Sequence, residues 1–401
     1  MEFNTNLPRI VHLDINSCFA TIEQQANPKL RDKAVVVAAY TTSSGCILAS
    51  SITAKKMGIK TGMRVGDGRL ICPNLIVLEP DPEKYRFVHK KLKKLLEKYS
   101  PLVTSKSIDE FVFEIVKGSP VVVSRQIKER IKKEIGEYIT VSIGISTNRY
   151  LAKVASNLQK PDGLSVINKS NYHKVFSNLK LTDLTGIKIN NSNRLRSVGI
   201  KTVNDFYSYP LYKLKIAFGG IGGLYWHLRL HGYEIDDFKS TRKVVGNSYA
   251  PPPNHANKVG EIMIKLTEKT GLRLRYANLK ALGVHLYIQD RNGTSWHMGR
   301  TLKRYVSNSC DIYREMNNLL RLSPIKNNIR NIAISTFKLK QNSELQLEIF
   351  DNEVGFFNVL KKEELTKSLD LINTKYGDYT IYPARMVNTK DMVKDRIAFG
   401  Q

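Results

Sequence analysis

The chain has 401 residues, 42% of them hydrophobic, enough for several buried cores and about two to four compact domains. Lys and Arg total 63 against 36 Asp and Glu, so a formal charge of +27 is spread along the chain, and a field of that sign attracts polyanions, nucleic acid being the commonest. No segment reaches the ~18 apolar residues of a membrane span, the N-terminus lacks a signal-peptide pattern, and Cys18, Cys46, Cys72 and Cys310 are too far apart for a CxxC zinc site. These features predict a cytoplasmic protein with reduced thiols, no disulfide framework and no membrane association.

In chain order, Arg9–Ile15 reads as a buried strand and Ser17–Gln25 as a helix opened by an N-cap-type serine. A small mixed section follows, with strand Ala34–Ala39, the apolar stretch Cys46–Ala49, and short helices near Ile52–Met57 and Val65–Ile71. Pro80-Asp81-Pro82 punctuates the chain. Beyond it come helix Glu83–Tyr99, strands Leu102–Ser105 and Phe111–Val116, helix Val121–Ile135, strand Thr140–Ile145 and helix Arg149–Gln159. With the inserted section set aside, the order is βαββαβ, the split βαβ pattern of a ferredoxin-like sheet. A glycine-punctuated helical region runs from Leu181 to about Tyr233. After a polar linker, strand Val244–Tyr249, a helix near Ala256–Tyr276, strands Ala281–Gln289 and Thr294–Thr301, helix Ser309–Leu322 and strand Asn331–Leu339 spell βαββαβ again, predicting a second domain of the same broad topology. The tail adds a helix near Leu360–Thr374.

Two acidic clusters carry the chemistry. Asp14 ends the apolar run Ile10-Val11-His12-Leu13, and Asp109-Glu110 sits inside Ser107-Ile108-Asp109-Glu110-Phe111. Carboxylates at strand ends suit hard cations, and three converging from separate strands can hold two Mg²⁺ ions roughly 3.5–4 Å apart, the clamp used in in-line phosphoryl displacement. In a ferredoxin-like sheet the central strands bring both clusters to one edge.

The motifs Leu13-Asp14-Ile15-Asn16-Ser17-Cys18-Phe19-Ala20, Ala54-Lys55-Lys56-Met57-Gly58-Ile59-Lys60-Thr61-Gly62-Met63, Ser107-Ile108-Asp109-Glu110 and Ile143-Gly144-Ile145-Ser146, with Leu151-Ala152-Lys153-Val154-Ala155-Ser156 and Lys160-Pro161-Asp162-Gly163 after them, occur in one order. In these motifs, and over nearly its whole length, the chain resembles the Y-family translesion DNA polymerases, with a layout similar to the bacterial polymerase IV group. The resemblance implies an α+β, multidomain right-hand polymerase: a ferredoxin-like palm (1–17 and 80–168), small fingers (18–79), a helical thumb (169–235), a linker (236–243), a βαββαβ little finger (244–340) and a C-terminal tail (341–401). The implied activity is template-directed, distributive addition of dNTPs to a primer 3′ end, of low fidelity and without proofreading, by a monomer bound to primer-template DNA. Two competing readings use the same features: a catalytically inactive DNA-binding scaffold, and a two-metal nuclease.

Residue by residue, the resemblance makes Asp14, Asp109 and Glu110 the ligands of two Mg²⁺ ions, or of Mn²⁺, with the backbone carbonyl of Ile15 completing the nucleotide-bound site. It makes Phe19 a steric gate against the ribose 2′-hydroxyl, where the bland alternative is a core phenylalanine. Lys55 and Lys160 would contact the triphosphate. Here the chain departs from many relatives, having Ile52 and Lys55 where they carry a Tyr followed three residues later by an Arg. Leu184-Thr185-Gly186-Ile187-Lys188 resembles a helix-hairpin-helix that grips phosphates, with Lys188 in place of the usual second glycine. The basic segments Arg273–Tyr276 and Trp296–Tyr305, with Arg300, Lys303 and Arg304, suit tracking of a DNA backbone. Finally, Gln346-Leu347-Glu348-Ile349-Phe350 resembles the QLxLF peptide that docks bacterial polymerases on the sliding clamp, Ile349 replacing the usual Leu.

Overall fold

A computed structural model describes residues 1–236, 243–342, 353–389 and 392–393, which divide into two compact units, one before and one after the 237–242 stretch. The expected linker lies almost wholly in that stretch, outside the described residues.

The first unit contains β1 (Ile10–Ile15), α1 (Cys18–Ala26), β2 (Val35–Ala38), β3 (Ile47–Ser50), α2 (Ile52–Lys56), α3 (Val65–Ile71) and β4 (Ile76–Leu78). It continues with α4 (Pro82–Leu96), β5 (Val103–Ser105), β6 (Glu110–Glu114), α5 (Pro120–Glu134), β7 (Val141–Ser146), α6 (Arg149–Leu158) and β8 (Leu164–Val166). Helices α7 (Tyr172–Ser177), α8 (Ile189–Ser197), α9 (Val203–Ser208), α10 (Leu211–Ala217) and α11 (Ile221–Leu230) complete it. The second unit comprises β9 (Val244–Tyr249), α12 (Val259–Tyr276), β10 (Leu279–Asp290), β11 (Ser295–Val306), α13 (Ser309–Leu322), β12 (Ile329–Gln341) and α14 (Glu353–Tyr376). No helix among the described residues is long and apolar enough to cross a membrane.

The main sheet of the first unit runs β5-β6-β1-β7-β8, the ferredoxin order extended by β8, which lies parallel to β7. Strand β1 is central and has helices on both faces, which is why four of its six residues are apolar. Val11, Leu13 and Ile15 face the core shared with α1, α4 and α5, while Ile10 packs with Val112 and Ala152 of α6 on the other side. That second face depends on one glycine. A Cβ on Gly144 would lie 2.0 Å from the Ala152 carbonyl oxygen, so only glycine lets α6 settle onto β7. Helix α6 begins at a buried cap, the Asn148 side chain accepting from the Leu151 amide at 2.8 Å. The inserted section forms its own small sheet, β3-β2-β4, over a core of Val36, Ile47, Ile59 and Val65. The helices from α7 to α11 enclose a third core around Phe176, Phe206 and Trp226.

Two sequence expectations change. Ser17 does not cap α1 with its side chain; it adopts a left-handed turn (φ 51°), and only its carbonyl oxygen engages the helix, accepting from the Thr21 amide. The second unit has the predicted βαββαβ element order, but its sheet runs β11-β10-β12-β9. There the β10–β11 hairpin stays together and β12 inserts between it and β9, unlike the first sheet, in which β1 separates β6 from β7. Helices α12 and α13 cover one face through Ile262, Leu266, Ile312 and Met316.

The tail belongs to this unit. Arg275 grips Asp370 of α14 with two bonds of 2.6 and 2.8 Å, Lys280 meets Glu363 at 2.8 Å, Lys362 meets Asp311 at 2.9 Å, and Met392 and Val393 join the core.

Candidate active site

Strands β1 and β6 pair antiparallel with Asp14 directly opposite Glu110. Side chains directly opposite each other project on the same face, so the two carboxylates stand together at the end of the central strands. Asp109 immediately precedes β6. Its carbonyl oxygen accepts from the Ile15 amide at 3.0 Å, locking the 106–110 turn against the end of β1. The turn is tied internally: the Ser107 hydroxyl donates to Asp109 Oδ1 at 2.5 Å and accepts from the Glu110 amide at 3.1 Å. The short polar turn therefore sets the direction of both of its acidic side chains.

Two lysines from the α6 region face this cluster. Lys160 Nζ lies 2.9 Å from Asp14 Oδ2, and Lys153 Nζ holds Glu110 at 2.9 and 2.7 Å, one bond to each carboxylate oxygen. The groups titrate accordingly. Burial raises the Asp14 pKa, reinforced by Asp109 and Glu110 and opposed by Lys160. Burial also acts upward on Glu110, but the hydrogen bond and charge of Lys153, with the charges of His12 and Lys160, outweigh it and hold the group below the usual glutamate value. Lys55, at the end of α2, belongs to the same field although its side chain is exposed: desolvation and then Lys160 lower its pKa, while Asp14 and Asp109 push it back. Cys18 is buried and its thiol is pushed well above the ordinary value by burial and by Asp109 and Asp14, so it stays protonated and inert.

Crowded oxygen donors, one of them resisting ionisation chiefly because it is buried, are the donor set of a hard divalent cation. His12, Asp14 and Glu110 place one ligand atom each within 4.8 Å of one another. Two paired strands and a turn bonded to them fix Asp14, Glu110 and Asp109, so the residues present fit a metal centre. Phe19, in the first turn of α1, is 6% exposed and stacks on Tyr85 at 4.5 Å with an interplanar angle of 10°.

Comparison with known proteins identifies the family. The model of the impB/mucB/samB family matches residues 13–157, and that of the impB/mucB/samB family C-terminal domain matches residues 244–349. The chain is 30% identical to DNA polymerase IV of Clostridium acetobutylicum over 387 residues, 93% of this chain and 96% of that one. The chain belongs to the Y-family of translesion DNA polymerases. DNA polymerase IV of Pelotomaculum thermopropionicum is 28% identical over 400 residues, 96% of this chain and 97% of that one. Two solved structures share the fold, each covering 83% of this chain and 99% of the other: a Y-family chimera of Dbh and Dpo4 (TM-score 0.72, 23% identity) and an insertion ternary complex of Dbh DNA polymerase (TM-score 0.59, 22% identity). The family uses divalent metal ions.

Elsewhere in the polymerase the expected contact residues are scattered. Gly186 is left-handed (φ 89°) at the turn before α8, and Lys188 is exposed as that helix's N-cap. On β11, Lys303 and Arg304 are exposed, but Arg300 stands opposite core-facing Val284 and reaches Glu315 of α13 at 3.7 Å, so it leaves the sheet on the helix side. Arg275, expected to track DNA, is instead 17% exposed and committed to Asp370, while Arg273 donates to the Gly246 carbonyl at 2.9 Å. The peptide Gln346–Phe350 lies outside the described residues. Sequence reasoning missed two members of the site, His12 and Lys153. His12 was detectable by strand alternation, two residues before Asp14; Lys153 needed the docking of α6.

Proposed function

We propose that this polymerase extends a primer 3′ end on a template strand with two Mg²⁺ ions held by Asp14, Asp109, Glu110 and the main-chain carbonyl of Ile15, in low-fidelity synthesis without proofreading. The observation that supports this most directly is the Asp14–Glu110 cross-strand pair with Asp109 bonded to the strand beside it. When bound, such ions promote attack of the primer hydroxyl on the α-phosphate and neutralise charge on the departing pyrophosphate. The protein's own part is positioning. Lys160 and Lys55 bring positive charge to the mouth of the site, where the negative charge of a triphosphate would favour the ammonium form of Lys55 that desolvation, and then Lys160, disfavour. Phe19, backed by Tyr85, presents a ring that a sugar bearing a 2′-hydroxyl would strike.

In this reading the palm is the five-stranded sheet with its helices (1–17 and 80–168), the fingers are the β3-β2-β4 section (18–79), the thumb is the α7–α11 bundle (169–235), and the little finger is the second unit's sheet (244–340). Gly186 and Lys188 meet a phosphate at the start of α8, and Lys303, Arg304 and Arg300 follow the backbone of primer-template DNA. The Gln346-Leu347-Glu348-Ile349-Phe350 peptide docks on a sliding clamp. The deciding experiment is single-nucleotide insertion on a primer-template by the wild type and Asp109→Ala, run beside a nuclease assay on the same substrate. Insertion that survives Asp109→Ala, or strand cleavage in place of extension, would overturn the assignment.

A further inference from the structure

Beneath Glu110 lies a group that the reading above does not use. His12 sits two residues before Asp14 on β1, hence on the same face of the sheet, and is 2% exposed. Its cross-strand neighbours are Val112 and Gly144, and α6 covers that face, with Ala152 packed against Ile10 and Val112. On that face His12 Nε2 lies 3.8 Å from Glu110 Oε2, and the charges of Lys153, Lys160 and Lys106 also reach the ring. That nitrogen has no hydrogen-bond partner among the described residues.

A buried polar atom left unpaired costs about 1–3 kcal/mol, and a leucine would fill the same space without that cost. An imidazole ring can offer an N–H at this nitrogen, and the carboxylate oxygen facing it can accept. At 3.8 Å no hydrogen bond is made. The reason is visible on the other side of the carboxylate, where Lys153 holds both oxygens. A cation bound by Glu110 repels the Lys153 ammonium and competes with it for the two carboxylate oxygens. Once the ammonium is displaced, the carboxylate loses the two bonds that orient it, and the imidazole is the polar group already in place behind it.

We propose that His12 is a positioning residue for Glu110: its Nε2–H donates to the carboxylate oxygen facing it and keeps Glu110 aimed when a metal ion replaces Lys153. The inference rests on Glu110 being a metal ligand. A closing movement of about 1 Å brings the pair to the usual length for a bond to a carboxylate. Partners of metal ligands commonly change metal affinity by about 10–100-fold, and that is the size of effect assigned here.

The test uses the full-length protein and Mn²⁺ as the probe, with affinity read by electron paramagnetic resonance or calorimetry, melting temperature measured alongside, and kcat separated from KM for dNTP. Two amides discriminate by reach: Gln places its N–H where Nε2 stands, whereas Asn reaches only the Nδ1 position. His12→Leu and His12→Asn are expected to melt near the wild type, to bind Mn²⁺ about 10-fold or more weakly and to lose kcat with little change in KM. His12→Gln is expected to recover affinity to within a few-fold. Mn²⁺ affinity within twofold of wild type in both His12→Leu and His12→Asn would overturn the proposal. So would equal losses in Gln and Asn that follow the loss of melting temperature, since packing alone would then explain them. Glu110→Ala separates the underlying reading: if it leaves Mn²⁺ affinity intact, the ligand assignment fails, whereas weakened binding there with none in the His12 variants removes the positioning role alone.

Discussion

Phe19 has two possible roles, and removing its ring separates them. The side chain is 6% exposed and lies in the core cluster against Tyr85, so Phe19→Ala forfeits the transfer energy of a buried ring and leaves a cavity, about 3–5 kcal/mol together. In a unit of this size that lowers the melting temperature by roughly 2–4 °C per kcal/mol, or about 6–20 °C in all. If the same ring blocks the 2′-hydroxyl, ribonucleotide selectivity should also fall by something on the order of 10²-fold, equivalent to about 2.7 kcal/mol of transition-state discrimination. The two effects need not travel together. Phe19→Leu keeps much of the buried volume but lacks the planar edge, so it should stay close to wild-type stability and still admit ribonucleotides more readily. Tyr85→Leu, which removes the support behind the ring and the hydroxyl bond to Glu23 Oε1 at 2.9 Å, should relax selectivity less than Phe19→Ala does. The assay is the ratio of kcat/KM for each dNTP to that for its rNTP, measured beside calorimetry. A Phe19→Ala enzyme that melts lower but keeps its dNTP to rNTP ratio would show that the ring is core and nothing more.

Other outcomes are equally specific. Glu110→Ala should abolish most insertion while leaving primer-template affinity in a binding titration nearly unchanged, because phosphate contacts dominate that affinity; a parallel loss of DNA binding would contradict the metal-ligand role. Asp370→Ala leaves Arg275 without its two-bonded partner and should destabilise the second unit by about 1–3 kcal/mol in a denaturant titration, with no change appearing if the tail is dispensable. Asp205 closes a capping box with Thr202 and has its pKa lowered, chiefly by the Thr202 amide. Its contribution is therefore present above the unfolded value of 3.8 and lost as pH falls through the lower folded value, so Asp205→Asn should melt below the wild type at pH 7 and the gap should close toward pH 3. Replacing both Leu347 and Phe350 with Ala should leave melting temperature and clamp-free extension unchanged while removing stimulation by a sliding clamp, and retained stimulation would exclude docking through this peptide.

Most of the secondary structure was legible because periodicity reports burial directly. Val65–Ile71, Val244–Tyr249 and Ser309–Leu322 have the predicted limits, and the order that brings Asp14 beside Glu110 followed from the ferredoxin pattern. What escaped was decided by distant partners. Strands β4 and β8 have three residues each, too few to show a period, and exist because β2 and β7 offer free edges for parallel pairing. The order of the second sheet is a choice among non-local pairings that the same run of elements permits. Arg275 looks like a free cation until Asp370, 95 residues later, folds onto it. Within the site, the carboxylates were legible as residue types at strand ends. Their lysine partners were not, since Lys153 reaches Glu110 only because Gly144 lets α6 lie close to the sheet.

The ion pairs of α14 also define a leash. Strand β12 ends at Gln341 and α14 begins at Glu353, and ion pairs fasten α14 to the unit that holds β12. Peeling α14 from that unit means breaking the Arg275 and Lys280 ion pairs together. A helix moored at several points transmits force and orientation to the body that carries it, where a free one would only swing about its attachment.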